Sequence, residues 1–165
     1  MTIAILNFHN RIGVDIDETL IGSNQRKVKL WSFIENNPNK KYWLITFRTG
    51  VFLDQSYDDI ETESGGRITR DMFEGLYGIP PELSIAYHRV EPFIRFRKSN
   101  PKKWERIHNH IPNFDDLVRK YDLSREWKGQ KCKELGCTVL IDDNISSVLP
   151  GCEKYNIVLL DSHKM

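Results

Sequence analysis

Arg11-Ile-Gly-Val-Asp15-Ile-Asp17-Glu-Thr19-Leu20 is the stretch on which the reading of this chain turns. Arg11–Val14 is a short run that does not alternate apolar with polar, the pattern of a strand buried on both faces. It ends on one carboxylate, and a second follows two residues later. Two such groups at a strand end, where the backbone turns, point toward one small volume. Desolvated together they repel each other and favour a divalent cation between or beside them. A solvated acidic turn is the plain alternative. Asp-x-Asp-x-Thr is expected by chance only about 0.02 times in a chain of 165 residues, which favours the site.

Three further runs resemble the first. Tyr42–Ile45 leads into Thr46, Cys137–Ile141 into Asp142, and Tyr155–Leu160 into Asp161, with Leu83–Val90 a weaker fifth strand. Helical spacing lies between them. Asn24–Glu35 carries Val28, Trp31 and Ile34 before the Asn36-Asn37-Pro38 breaker, and Ile68–Tyr77 has a stripe ending at Gly78. Pro101–Ile111, Phe114–Tyr121 and a short Trp127–Leu135 complete the set, and Met1–Asn10 reads as an extra strand turning at His9-Asn10. Strands alternating with helices predict right-handed crossovers. The expected fold is α/β, a three-layer Rossmann-like arrangement around a mostly parallel central sheet of about five strands.

Composition bounds the rest. A chain of 165 residues, 39% hydrophobic, suits one domain over residues 1–165 with a sizeable core, not a disordered chain. A net charge of +1 gives no global field to recruit a polyanion. No apolar run approaches the roughly 20 residues of a spanning helix. Nor does the amino end have the basic start and apolar core of a secretory signal. Cys132, Cys137 and Cys152 lack zinc-ligand spacing and read as reduced, packed thiols, so a cytoplasmic protein is expected.

In open α/β sheets ligands bind outside the carboxyl ends of the strands. Asp15, Thr46 and Asp142 should therefore meet at one edge. Thr46-Phe-Arg48-Thr49-Gly50 offers a hydroxyl, free backbone N–H groups and a guanidinium fork for an anionic oxygen, although many ordinary strands end in Thr. Asp142 and Asp143 are costly at the end of a buried strand unless they meet a metal or cations. Lys128, read as the first turn of the helix before that strand, reaches the same edge; a solvated helical lysine is the alternative.

Taken together, Asp15-x-Asp17-x-Thr19, Thr46, Lys128 and Asp142-Asp143 resemble the four ordered motifs of the haloacid dehalogenase (HAD-like) phosphohydrolase superfamily, over residues 11–144. Thr46-x-Arg48 is similar to the second motif of its small phosphatases. The resemblance implies an Mg²⁺-dependent phosphomonoester hydrolase. Asp15 is then the nucleophile that forms an aspartyl-phosphate, and Asp17 the proton donor and acceptor. Thr46, Arg48 and Lys128 bind phosphate. Asp15, Asp142 and the main-chain carbonyl of Asp17 hold the metal, with Asp143 either a direct ligand or a partner of one, while Thr19 supports the turn. Phosphatases of nucleic-acid ends in the superfamily also carry a lysine-bearing helix here, so Lys98, Lys102 and Lys103 stay open as alternatives to Lys128. The expected partner is a phosphorylated small molecule, a nucleotide or a nucleic-acid end, the last two suggested by an open site and by the basic–aromatic stretch Arg89–Lys103. A retired or regulatory metal- and phosphate-binding module, or a phosphotransferase, is the alternative.

The 28 residues between Asp17 and Thr46 leave no room for a cap domain, whereas residues 50–127 exceed one crossover and hold an elaborated segment or a small cap. Arg89–Lys103 mixes cations with Phe93, Phe96 and Trp104, a pattern suited to phosphates and stacked bases as much as to an ordinary helix flank. The acidic stretch Asp54–Glu63 reads as a mobile surface loop.

Overall fold

A computed structural model describes residues 2–165. Five parallel strands form one sheet: β1 (Arg11–Val14), β2 (Lys41–Thr46), β3 (Gly75–Gly78), β4 (Val139–Asp142) and β5 (Val158–Asp161). Their spatial order is β3-β2-β1-β4-β5. The fold is thus the α/β Rossmann-like arrangement expected. After β3 the chain returns to the other side of β1, so β1 and β4 are neighbours in space but distant in sequence. That is the topological switch point, where a crevice opens at the carboxyl edge.

The period-2 alternation of strand side chains divides the core in two. Ile12, Val14, Tyr42, Leu44, Val139 and Ile141 face one layer, with α1 (Thr2–Leu6), α2 (Lys27–Asn36) and α4 (Ser56–Ser64) against them. Trp43, Ile45 and Leu140 face the other, which holds α7 (Phe114–Leu135) and α8 (Ile145–Tyr155). Each large side chain buried in these layers stabilises the fold by about 1.5–3 kcal/mol. The remaining helices are α3 (Gly50–Asp54), α5 (Pro81–Ser99) and α6 (Pro101–Ile107).

Several local expectations are corrected. Leu83–Val90 is not a strand but part of α5: Leu83, Ala86, Tyr87 and Val90 recur at helical spacing behind Pro81 in the first turn. Ile68–Tyr77 is not a helix. It is a 3₁₀ turn at Arg70–Met72 followed by β3, which Trp43 and Gly75 pair onto β2. Gly78 ends that strand against the Arg48 loop; a Cβ there would lie 2.5 Å from the Arg48 carbonyl oxygen, so only glycine permits the approach. The amino-terminal segment is helix α1, not a strand, and Met1 lies outside the described residues. Asp54–Glu63 is helical over most of its length, with Gln55 at the junction of α3 and α4. The second half of the Pro101–Ile111 helix is a 3₁₀ turn at His108–His110. Phe114–Tyr121 and Trp127–Leu135 are one 22-residue helix.

That helix is longer than its strand. Running from Lys128 at the carboxyl edge to Leu135, it covers the sheet; residues 114–127 continue about 20 Å beyond that edge at 1.5 Å per residue. The carboxyl half of α5 and α6 pack on this extension through Phe93, Trp104 and Phe114, with ring centroids 5.4–6.1 Å apart. The result is a small helical lobe rising from the functional edge. Among the described residues no helix is long and apolar enough to cross a membrane.

Candidate active site

Asp15 follows β1 and Asp142 ends β4, side by side at the switch point, and both are buried. The Lys128 ammonium lies between them, 2.7 Å from Asp15 Oδ1 and 2.6 Å from Asp142 Oδ2. Lys128 is 1% exposed, so no water shell competes for its charge. It does not sit in a first turn, as the sequence suggested, but two thirds of the way along α7. It reaches the edge because α7 overshoots the sheet. Gly129 and Gly151 let α7 and α8 touch backbone to backbone beside it.

Burial pushes the Asp15 carboxyl up to about 7; Lys128 opposes this and the Asp142 charge adds to it. Burial pulls the Lys128 ammonium down, yet Asp142 and Asp15 together hold it above the ordinary lysine range. Asp143, half-buried, is raised by burial and then by Asp142. Asp142 Oδ1 accepts from the Asn144 N–H at 2.9 Å, which fixes its plane. Asp15, Asp142 and Asp143 each offer an oxygen within 4.8 Å of the others. Ionised together, three carboxylates against one ammonium carry two negative charges in excess, which burial and mutual repulsion disfavour unless a cation is present. An all-oxygen set with that excess fits a hard divalent cation such as Mg²⁺.

Asp17 lies at the mouth with its side chain 57% exposed. Its carboxylate is held by the Arg48 fork, at 2.9 Å from Nε and 2.7 Å from Nη2. Arg48 Nη1 donates to Asp59 of α4 at 2.6 Å and to the Phe52 carbonyl at 3.2 Å. The guanidinium is therefore engaged by acids, Asp17 first, which raise it above its usual range. Thr46 is buried, and its hydroxyl oxygen accepts from the Arg48 N–H at 3.2 Å, leaving its own proton to donate. Thr19 is buried with its hydroxyl unpartnered, while its N–H donates to the Ile16 carbonyl in the turn after β1. Lys98, Lys102 and Lys103 are exposed on the lobe and Lys128 alone of the four contacts the acids.

Sequence reasoning missed Asp59, which lay in the supposed loop, and an aromatic wall. Phe47 lies with its ring 4.7 Å from the Lys128 ammonium. It stacks on Tyr87 at 5.4 Å, and Tyr87 stacks on Tyr121 at 5.7 Å. The Tyr87 hydroxyl pairs with Ser147 Oγ at 2.7 Å, which joins α5 to α8 over the edge. Helical spacing in α5 was the available signal for Tyr87. A cleft of about 350 Å³, lined by Thr49, Leu53, Tyr77, Pro80, Trp127 and Lys131, opens beside Arg48 and α7. No protein-family model, curated protein or solved structure matches this chain.

Proposed function

We propose that this protein is an Mg²⁺-dependent phosphomonoester hydrolase of the HAD-like type, working through an aspartyl-phosphate on Asp15. The observation that carries this reading is the buried Lys128 ammonium between Asp15 and Asp142 at the switch point, with Asp143 completing an oxygen set. An ordinary core has no reason to bury two carboxylates and a lysine, since desolvating each ion costs several kcal/mol.

An oxygen of Asp15 attacks phosphorus and the ester P–O bond breaks; Asp17, protonated once an oxygen leaves the Arg48 fork, gives that proton to the departing alkoxide. In the second half Asp17 takes a proton from water. The water oxygen attacks phosphorus and the acyl-phosphate P–O bond breaks, which releases inorganic phosphate and restores Asp15. Lys128 and the Thr46 hydroxyl meet the charge developing on the phosphoryl oxygens. Asp15, Asp142, Asp143 and the Asp17 carbonyl would hold Mg²⁺, which when bound neutralises phosphoryl charge. Arg48 serves here to hold Asp17 rather than to bind phosphate directly. Nucleotides and nucleic-acid ends are the substrates we favour, and the reduced thiols suit the cytoplasm.

Phosphate release from p-nitrophenyl phosphate with and without Mg²⁺ tests the reading. Activity that needs Mg²⁺ and is lost in a folded Asp15→Asn variant supports it; Mg²⁺-independent turnover, or turnover unchanged in Asp15→Asn, overturns it. The Arg48 grip on Asp17 favours a second reading, a metal- and phosphate-binding module without turnover. Mg²⁺ binding by calorimetry with no phosphate release under any substrate would select it. A phosphotransferase differs only in the acceptor, which product analysis with added alcohols reveals.

A further inference from the structure

We infer that the helical lobe is a docking surface for the sugar-phosphate backbone, so that the substrate is the phosphorylated end of a nucleic-acid strand. This rests on the phosphohydrolase reading and names the substrate class for its site. Residues 89–106 hold seven cations (Arg89, Arg95, Arg97, Lys98, Lys102, Lys103, Arg106) against Glu91 and Glu105, a net +5. With +1 on the whole chain, the remaining residues carry −4. The α7 part of the lobe, residues 114–127, adds three cations and four acids, so the lobe over 89–127 is +4 and the rest of the protein −3.

All seven are exposed, and among the described residues only Arg95 has an ion-pair partner, Glu91 at 3.7 Å. Local stability explains some of them, since Arg97 and Lys98 end α5 and Arg106 ends α6, where the helix dipole favours cations, but not Lys102 and Lys103. Lys102 and Lys103 occupy the first turn of α6, which has no acid, the end where the helix dipole disfavours cations. Their neighbours Arg97 and Lys98 add like-charge repulsion. A polyanion relieves both costs.

The lobe also stands in the right place. Tyr87 ties α5 to the active-site edge through Phe47 and Ser147, and α5 runs on for 12 residues, about 18 Å, to Ser99. That length spans roughly five nucleotides at 3.4 Å per step. Two of the segment's three aromatics are not free to stack on bases, because Phe93 and Trp104 pack against each other and Phe114 inside the lobe, and the third, Phe96, is half-buried. Recognition is thus through phosphates, without base preference and sensitive to salt.

The test uses the full chain with Mg²⁺ and compares a 5′- or 3′-phosphorylated twelve-nucleotide strand with the mononucleotide bearing the same phosphate. At about 50 mM salt, kcat/KM for the strand should exceed that for the mononucleotide at least about tenfold. At about 200 mM it should fall roughly fiftyfold if four phosphates are neutralised, with the mononucleotide little changed. Arg97→Glu/Arg106→Glu, and the milder Arg97→Gln/Arg106→Gln, should remove most of the strand's advantage and keep both Tm and mononucleotide turnover. Equal kcat/KM for the two substrates, an advantage that survives both folded variants, or a preference for phosphatidate in anionic vesicles overturns the inference. If neither substrate is hydrolysed, the catalytic reading has failed; fluorescence anisotropy of the labelled strand then decides the lobe, with salt- and variant-sensitive binding supporting it and its absence overturning it.

Discussion

Arg48 grips both carboxylate oxygens of Asp17, Nε to Oδ2 at 2.9 Å and Nη2 to Oδ1 at 2.7 Å. A planar two-point contact fixes direction as well as distance. The proposed proton carrier is thereby aimed from the mouth, while the other acid that Arg48 holds, Asp59, pairs among the described residues with the guanidinium alone. Asp59 also has a companion one helical turn on: Glu63 accepts from the Gly22 N–H at 2.8 Å and pairs with Lys27. Helix α4 therefore braces the turn after β1 from two sides.

Asp59→Asn should act through Arg48. Losing the charge at 2.6 Å loosens the fork, so kcat should fall about tenfold with KM within about twofold. Asp59→Glu should recover part of it, and Arg48→Lys, which cannot hold two oxygens in a plane, should lose more. Steady-state kinetics with a small phosphomonoester check this; an unchanged kcat in Asp59→Asn refutes the bracing role.

Asp17→Asn should separate the two half-reactions. The amide cannot take the proton of the hydrolytic water, so an acid-stable phosphoenzyme should accumulate slowly and decay at least about a hundredfold slower than in the parent. Rapid quench with labelled substrate reads both rates. Matching decay in variant and parent would remove Asp17 from its role.

Asp15 makes the metal-free protein pH-sensitive. Its folded carboxyl titrates near 7, above the usual 3.8, so the fold favours the protonated form. That contribution is complete below the unfolded value and is lost as pH rises through about 7. The parent should melt lower at pH 8 than at pH 5 without metal. Asp15→Asn keeps an acceptor for Lys128 without the buried charge, so it should melt higher than the parent at pH 8, by about 2–4 °C per kcal/mol gained. The gap should close toward pH 5. Thermal melts in chelator check the sign, and a lower Tm for Asp15→Asn at pH 8 contradicts it.

The site was legible in the sequence because edge chemistry is local: an apolar run that stops on an acid states both the strand and its end. Asp15, Thr46 and Asp142 are found where those runs stop. Lys128 was identified for a reason that does not hold, since α7 continues past the sheet. β3 was hidden because Gly75-Leu-Tyr-Gly78 is a half-buried edge strand, short of the β-branched residues that mark the others. α5 was hidden behind Ile85, Tyr87 and Val90, whose strand propensity outvoted their helical spacing. Asp59 could not be read at all, because its meaning is a contact with a guanidinium 11 residues away across two helices.

The contact between Gly129 and Gly151 sets where Lys128 stands, and it admits no side chain. A Cβ on Gly129 would lie 2.2 Å from the Gly151 carbonyl carbon and 2.3 Å from its oxygen, and backbone cannot rotate away as a flexible side chain can. Gly129→Ala must therefore part α7 from α8, opening a core that includes Trp127, Val148 and Cys152. We expect a loss of about 3 kcal/mol, near the upper end for overpacking, which lowers Tm by about 6–12 °C. Activity should fall further than stability requires, because the residue before it carries the ammonium that sits within 2.7 Å of both acids. Gly66→Ala is the control: a Cβ there meets nothing within 4 Å, so its cost is the positive φ alone, about 1–2 kcal/mol, with turnover retained. Melts and assays well below both midpoints separate the two effects, and a Gly129→Ala protein that melts and turns over like the parent would show that α7 does not depend on this contact to place Lys128.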